Sequence, residues 1–473
     1  MVFGTIGIIL SLILLMYLAY RGISVLIIAP ILACFAAIMS GIDSGSIHIL
    51  ATYTETFMSS LAGYVRNYFP IFLLGAIFGK VMDDTGSAKS ISYFICDKFG
   101  KEKAILAIVL ACAVLTYGGV SLFVVSFAIY PVAAALFREA GIPKRFIPGA
   151  IACGAFTFTM TALPGTPQIQ NAIPMQYFGT DAYAAPVLGI IGSIIMGTSG
   201  VMWLQRRAKK AMAKGEGYGV HQNEPTINNE NSQNIPPFGI AILPIILVLV
   251  VGLVTSKLIF PKLDFSYLES YGTTAGKVLG NWSLIIALVV SIVVAIIVNF
   301  KRMGNVIKTL TEGVSGSFLA VMNTASEVGY GNVIASMAAF AVVKGALLGL
   351  SSNPLVSEAV SVSALAGITG SASGGLSIAL EALGQTYLND AMAANISPQV
   401  LHRIASMACG GLDTMPHNGA VITVLAVTGM THRESYGDIA MCTAIIPVIT
   451  VAICIVLASF GIVWLKNRIY NIL

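Results

Sequence analysis

Two apolar stretches of this chain are interrupted in the same way and at the same spacing. The first carries Gly118-Gly119-Val120-Ser121 and is followed by Cys153-Gly154; the second carries Gly374-Gly375-Leu376-Ser377 and is followed by Cys409-Gly410. The step from double glycine to Cys-Gly is 35 residues in both. Each copy then meets a polar, proline-broken stretch: Thr161-Ala162-Leu163-Pro164-Gly165-Thr166-Pro167-Gln168, and Asp413-Thr414-Met415-Pro416-His417-Asn418-Gly419. Backbone that leaves the helix inside a bilayer survives only where it lines a cavity or meets other protein. A duplicated set of such interruptions is the pattern of a transporter made of two repeats, with its binding site between them.

The membrane premise rests on composition. The chain is 56% hydrophobic and 10% charged, with a mean hydropathy of +0.86, against about 25% charged residues in soluble domains. A water-soluble class is excluded, and several runs approach the ~20 apolar residues that cross a bilayer. Residues 1–20 lack a basic n-region and a small-residue cleavage site, so they read as a retained crossing and not as a signal peptide. The seven cysteines show neither CxxC nor metal spacing and behave as small hydrophobes. No metal, no cofactor and no nucleic-acid partner is expected.

The expected fold is an all-α polytopic membrane protein of about ten transmembrane helices. They fall at 3–20, 23–40, 66–82, 145–179 and 184–204, then at 237–256, 281–300, 313–330, 398–430 and 437–465. Two glycine-centred segments, 103–138 and 354–395, read as re-entrant hairpins because the arms 103–115 and 122–137 are short for a crossing; ordinary spanning pairs are the alternative. Segments 145–179 and 398–430 read as broken helices. Residues 1–204 thus form a first repeat, 205–236 a cytoplasmic linker, and 237–473 a second repeat. Segments 84–99 and 331–350 read as connecting helices.

Charge tests the topology. With the N-terminus outside and five crossings per half, 18 of the 26 Lys and Arg residues fall on the inner side, as the positive-inside rule requires. The outer group holds Arg66, Lys257, Lys262, Lys277, Lys344, Arg403, Lys466 and Arg468. An odd number of crossings per half makes the two repeats inverted. Trp203 and Trp464 close the last helix of each half and read as interfacial anchors.

Half-helix N-termini at such breaks present free N–H groups to an anion. The candidate substrate-binding residues are Gly118, Gly119 and Ser121 at the first tip, and Thr161, Gly165, Thr166 and Gln168 in the first broken helix. In the second half they are Ser371, Ser373, Gly374, Gly375 and Ser377 at the tip, and Thr414, Asn418 and Gly419 in the broken helix. Alternatively the glycines only permit close helix packing, and the hydroxyls bond back to their own helices. Asp413 and His417 are the candidate ion-coupling pair, because ionisable groups inside membranes are expensive and histidine titrates near neutrality. The bland alternatives are a helix cap for Asp413 and a neutral contact for His417. Lys80, Asp83 and Asp84 read as snorkelling and capping residues. Glu381 reads as facing external water, with coupling as the alternative, and Glu327 as lying near a helix end with its role open. Selectivity is expected from dipoles, backbone amides and hydroxyls, without a buried arginine.

These residues carry a resemblance. The tip 369–377, the stretch Leu163-Pro164-Gly165-Thr166-Pro167-Gln168-Ile169-Gln170, and Pro416-His417-Asn418 with 419–436 after it resemble members of the gluconate permease family, within the ion transporter superfamily. The resemblance covers nearly the whole chain. It implies a bacterial inner-membrane proton symporter for small hydroxy-carboxylates such as gluconate or hydroxybutyrate. It also implies a homodimer in which hairpins and broken helices move, elevator fashion, against a scaffold made of the first two helices of each half. The chain departs from gluconate-transporting members at 161–168, which holds no histidine where theirs is His-rich; this leans toward short hydroxy acids such as 3-hydroxybutyrate. Sodium held by carbonyls and hydroxyls is an equal alternative to the proton. A membrane enzyme is disfavoured, since HExxH is absent, no GxSxG lies near a membrane helix end, and His48, His221, His402, His417 and His432 are scattered. A passive channel would not explain the paired hairpins and interrupted helices.

Overall fold

In hydrocarbon each backbone amide must find its partner within the chain, and helices achieve this locally. The computed structural model describes residues 2–21, 23–221, 235–349 and 351–461, and every regular element among them is helical. The first half comprises α1 (Val2–Tyr20), α2 (Val25–Ser44), α3 (Ile49–Asp84), α4 (Ser87–Phe99), α5 (Ala104–Tyr117) and α6 (Leu122–Glu139). It continues with α7 (Ile147–Ala155), the single turn α8 (Phe158–Thr161), α9 (Ile169–Phe178) and α10 (Pro186–Met212). The second half comprises α11 (Phe238–Lys262), α12 (Ala275–Asn299), α13 (Val306–Ser336), α14 (Phe340–Leu348), α15 (Pro354–Thr369) and α16 (Ala372–Ala393). It closes with α17 (Pro398–Cys409), α18 (Gly419–Thr428) and α19 (His432–Ser459). In each half two long helices and a longer one precede a short connector, a glycine-tipped pair, a broken helix and a closing helix.

Several boundaries differ from expectation. Among the described residues eight helices are long and apolar enough to cross a bilayer: α1, α2, α3, α6, α10, α11, α12 and α19; α13 with α14, bent by 98°, makes a ninth. The expected ten included 145–179 and 398–430 as crossings, but each is split into helices of at most 12 residues. Helix α6, expected as a short arm, reaches 18 residues. Helix α3 begins at Ile49 and not near 66, because a π-helical turn at Thr52–Phe57 carries it through a polar stretch where hydropathy drops. The basic cluster Arg206–Lys210, expected in the linker, continues α10 to Met212. Trp203 does not serve only as an anchor: its indole donates to Asp438 Oδ1 of α19 at 3.0 Å. Arg207 and Arg145 pair with the same buried carboxylate. The linker residues 222–234, Trp464, Lys466 and Arg468 lie outside the described residues.

Two frames of packing emerge. Helices α3 and α13 run together, tied by Lys80 to Glu312 at 2.8 Å and by Thr309 to Asp84 at 2.6 Å. Helix α2 packs on α13, and Ser11 of α1 meets Tyr330 of α13 at 2.7 Å. The glycine-tipped pairs pack on the broken helix of their own half, α5 on α7 and α15 and α16 on α17, and α16 also packs along α13, which joins the two frames.

Arg403, expected among the outer-side charges, is a fully buried residue of the interior, on α17. Its guanidinium donates to the carbonyls of Ala184 at 2.9 Å, Ala182 at 3.3 Å and Thr161 at 3.5 Å. These carbonyls belong to backbone outside regular helices or at a helix end, so they lack an i+4 donor. The neighbouring His402 bridges Thr180 and Asn171. Ala182 O also accepts from Gly165 N and Asn171 Nδ2, and Thr161 O from Ser406 Oγ, so Ala184 O is the carbonyl that depends most on Arg403. Leaving a buried acceptor unpaired costs about 1–3 kcal/mol, so Arg403→Met should lower the melting temperature of the purified protein in detergent markedly. A melting curve that matches the parent protein would remove this clamp from the account.

Candidate functional site

Four helix N-termini meet at one cavity. Ser121 precedes α6, Gln168 precedes α9, Ser371 precedes α16 and Asn418 precedes α18. All four line a single cavity of about 550 Å³. This is the size range of small-molecule sites. Ser371 and Asn418 cap their own helices, Ser371 Oγ accepting from Gly374 N at 3.1 Å and Asn418 Oδ1 from Ala420 N at 2.7 Å. Ser121 and Gln168 make no such side-chain cap. The first-turn residues Leu122, Phe123, Ile169 and Gln170 also line the cavity. First-turn amides of a helix have no intrahelical acceptor.

A carboxamide locks each tip to its broken helix. Gln168 Nε2 donates to the carbonyl of Thr116 at 2.8 Å, beside the first tip. Asn418 Nδ2 donates to the carbonyl of Gly370 at 2.9 Å, at the second. Tyr117 adds a bond from its hydroxyl to Pro164 O at 2.7 Å. The tips need glycine: Gly119 has φ +99° and Gly370 has φ +64°. A Cβ at Gly119 would meet Pro167 at 2.9 Å, and one at Gly370 would meet the His417 ring at 2.6 Å.

The sequence-derived candidates divide into two groups. Gly119, Ser121, Thr161, Gln168, Ser371, Ser373, Asp413, Thr414, His417, Asn418 and Gly419 line the cavity. Gly118, Gly165, Thr166, Gly374, Gly375 and Ser377 do not. Gly118 packs on Ile245, Gly165 on Tyr183, and Gly375 directly on the backbone of Ala366. These glycines let elements approach closely. Thr166 presents its carbonyl to Asn171.

The walls carry acid and no strong base. Among the described residues no Lys or Arg lines the cavity, and His417 is the one histidine there. Asp413 is buried, and its Oδ1 finds no hydrogen-bond partner among the described residues. Asp413 is not the helix cap, a role that Asn418 fills. Arg403 stands behind the wall, reaching it only through the Thr161 carbonyl.

Helix α13 supplies lining that motif reasoning missed. Asn323, Thr324 and Glu327 all face the cavity. Glu327 is not near a helix end: it lies well inside the 31-residue α13 and is buried. The legible signal was its spacing, since 320, 323, 324 and 327 share one helical face. Glu381 is exposed, as expected; it accepts from Tyr177 at 2.6 Å and borders a second, smaller cavity.

Comparison with known proteins gives a consistent result. Residues 1–460 match the description "GntP family permease". The chain is 48% identical over 474 residues to a protein of Bacillus subtilis (strain 168) described as an uncharacterized transporter, YxjC, covering 96% of this chain and 99% of that one. It is 24% identical over 263 residues to a gluconate permease of the same organism, covering 54% of this chain and 56% of that one. The fold is similar to the crystal structure of the Alcanivorax borkumensis YdaH transporter, with a TM-score of 0.55, 17% identity, and coverage of 87% of this chain and 90% of that one. By sequence along nearly its full length the chain belongs to the GntP permease family, a family of transporters and not of enzymes.

Proposed function

We propose that the protein is a secondary active carrier that imports a small hydroxy-carboxylate, of gluconate or hydroxybutyrate type, by proton symport across a bacterial inner membrane. The observation that carries this reading is the convergence of four helix N-termini on one cavity. Each N-terminus presents roughly half a positive charge together with free amides. Four of them attract a carboxylate where no cationic side chain does. Hydroxyl and amide groups of Ser121, Thr161, Gln168, Ser373, Thr414 and Asn418 suit the hydroxyls of the substrate. The curated relative named a gluconate permease supports the substrate class.

Coupling follows from the acids. An ionised Asp413 beside an anion would be repelled at short range in a medium of low dielectric. A proton taken up by Asp413 or His417 removes that repulsion and crosses with the substrate. The matched order of elements in the two halves supports inverted repeats, and the resemblance to the family supports an elevator. In it, tips and broken helices travel against α3, α13 and their neighbours, within a homodimer.

The test is uptake into proteoliposomes of a labelled panel (gluconate, glycerate, lactate, 3-hydroxybutyrate, citrate) under separate proton and sodium gradients. Concentrative uptake of one hydroxy acid on the proton gradient is the expected result. Uptake driven by sodium alone would overturn the coupling ion, and downhill flux only would point to a channel. Ser121→Ala should raise the half-saturation concentration about fivefold, the worth of one hydrogen bond of about 1 kcal/mol, and Asn418→Ala, which also loses the α18 cap and the bond to Gly370, should raise it further. Two variants with unchanged uptake curves would displace the site. Asp413→Asn and His417→Ala should flatten the rise of uptake toward acid pH while counterflow exchange persists; a parental pH profile in both removes them from the proton path.

A further inference from the structure

Glu327 stands at the joint between the two frames of packing. It projects from α13, which is tied to α3 through Lys80–Glu312 and Thr309–Asp84. The tip of the α15–α16 hairpin sits on it. A Cβ at Gly374 would overlap Glu327 Oε2, so only glycine lets the tip seat on this carboxyl. The Ser371 hydroxyl faces the same group, and Thr324 meets Ser373 Oγ at 3.2 Å one turn away. That tip is itself fastened to the second broken helix by Asn418 and Gly370. Glu327 therefore touches one frame from the other.

The surroundings fix its chemistry. Its side chain is 3% exposed and Oε2 has no hydrogen-bond partner among the described residues. From α3 the facing titratable group is Tyr64. The hairpin presents only glycine and hydroxyls there, and α2 contributes the Val25 carbonyl, which accepts from the adjacent Ser326. Elsewhere on the cavity wall stand Asp413 and His417. A carboxylate in this position pays a large desolvation penalty with no cation among the described residues to offset it, whereas the neutral acid does not.

We propose that Glu327 binds a proton while the hairpin tip covers it and releases that proton to cavity water when the tip lifts, so that its charge state controls docking of the hairpin on α13. Uptake of the proton converts carboxylate to acid with no other bond made or broken. This rests on the carrier reading for its place in a transport cycle, but docking itself is measurable without transport. Low pH favours the docked tip and high pH the lifted one, because only the neutral acid is tolerated beneath it.

The experiment is maleimide labelling of Ala372→Cys, a buried tip residue that lines the cavity, in the purified full chain, corrected for the seven native cysteines. With Glu327 present, labelling should accelerate about tenfold as pH rises across the titration, an ordinary coupling magnitude. With Glu327→Gln it should stay slow at every pH, and with Glu327→Asp the pH response should return. Equal pH profiles for the parent and Glu327→Gln overturn the inference, as does a pH response that vanishes equally in Glu327→Asp. In proteoliposomes, Glu327→Gln should also lose gradient-driven uptake while keeping exchange. If the parent carries no acid at all, the carrier reading fails while the labelling result still stands for or against the latch.

Discussion

Unpaired backbone in hydrocarbon is the constraint from which this structure grows. Four helices begin at one cavity, and each leaves first-turn amides without an intrahelical acceptor. Placing the four N-termini around one cavity turns that liability into a site of positive potential. The carboxamides of Gln168 and Asn418 then hold each tip against its broken helix. Site and support are the same set of bonds, so what shapes the cavity also fixes its electrostatics.

The irregular segments are satisfied across the halves. Arg403 of α17 donates to carbonyls of Thr161, Ala182 and Ala184, and His402 joins Thr180 to Asn171. A guanidinium is well suited to this, since its donors form a fork that can serve several carbonyls together. It also places a fixed positive charge one residue behind the cavity wall, where it adds to the helix N-termini without competing for the substrate as a direct ligand.

The contrast between Asp413 and Glu327 organises the chemistry of the cavity. Asp413 belongs to the second broken helix, beside the Asn418 cap. Glu327 belongs to α13 and lies under the hairpin tip. Two acids on separate structural frames respond to different events, one to the arrival of an anion and the other to the position of the tip. Gly374 is the hinge of that distinction, because any side chain there would separate tip from carboxyl.

Much of this was legible in sequence. Hydropathy and scarce charge dictated a helical membrane fold, and the glycine-rich stretches located both hairpins, though Gly118-Gly119 sit at the first turn while Gly374-Gly375 lie inside α16, just past the turn at Gly370. Eleven of the motif-derived candidates do line the cavity, because proline, glycine and hydroxyl residues inside apolar runs have few other reasons to be there. Tertiary structure decided what local pattern could not. Thr166, Ser377 and the packing glycines sit behind the wall, since a break in a helix fixes where the chain turns but not which side of the turn faces space. Arg403 lies near the start of a segment that reads as beginning on the outer side, while its burial depends on loops some 220 residues earlier. Glu327 carried no motif at all; its place under Gly374 exists only once α13 and the hairpin meet.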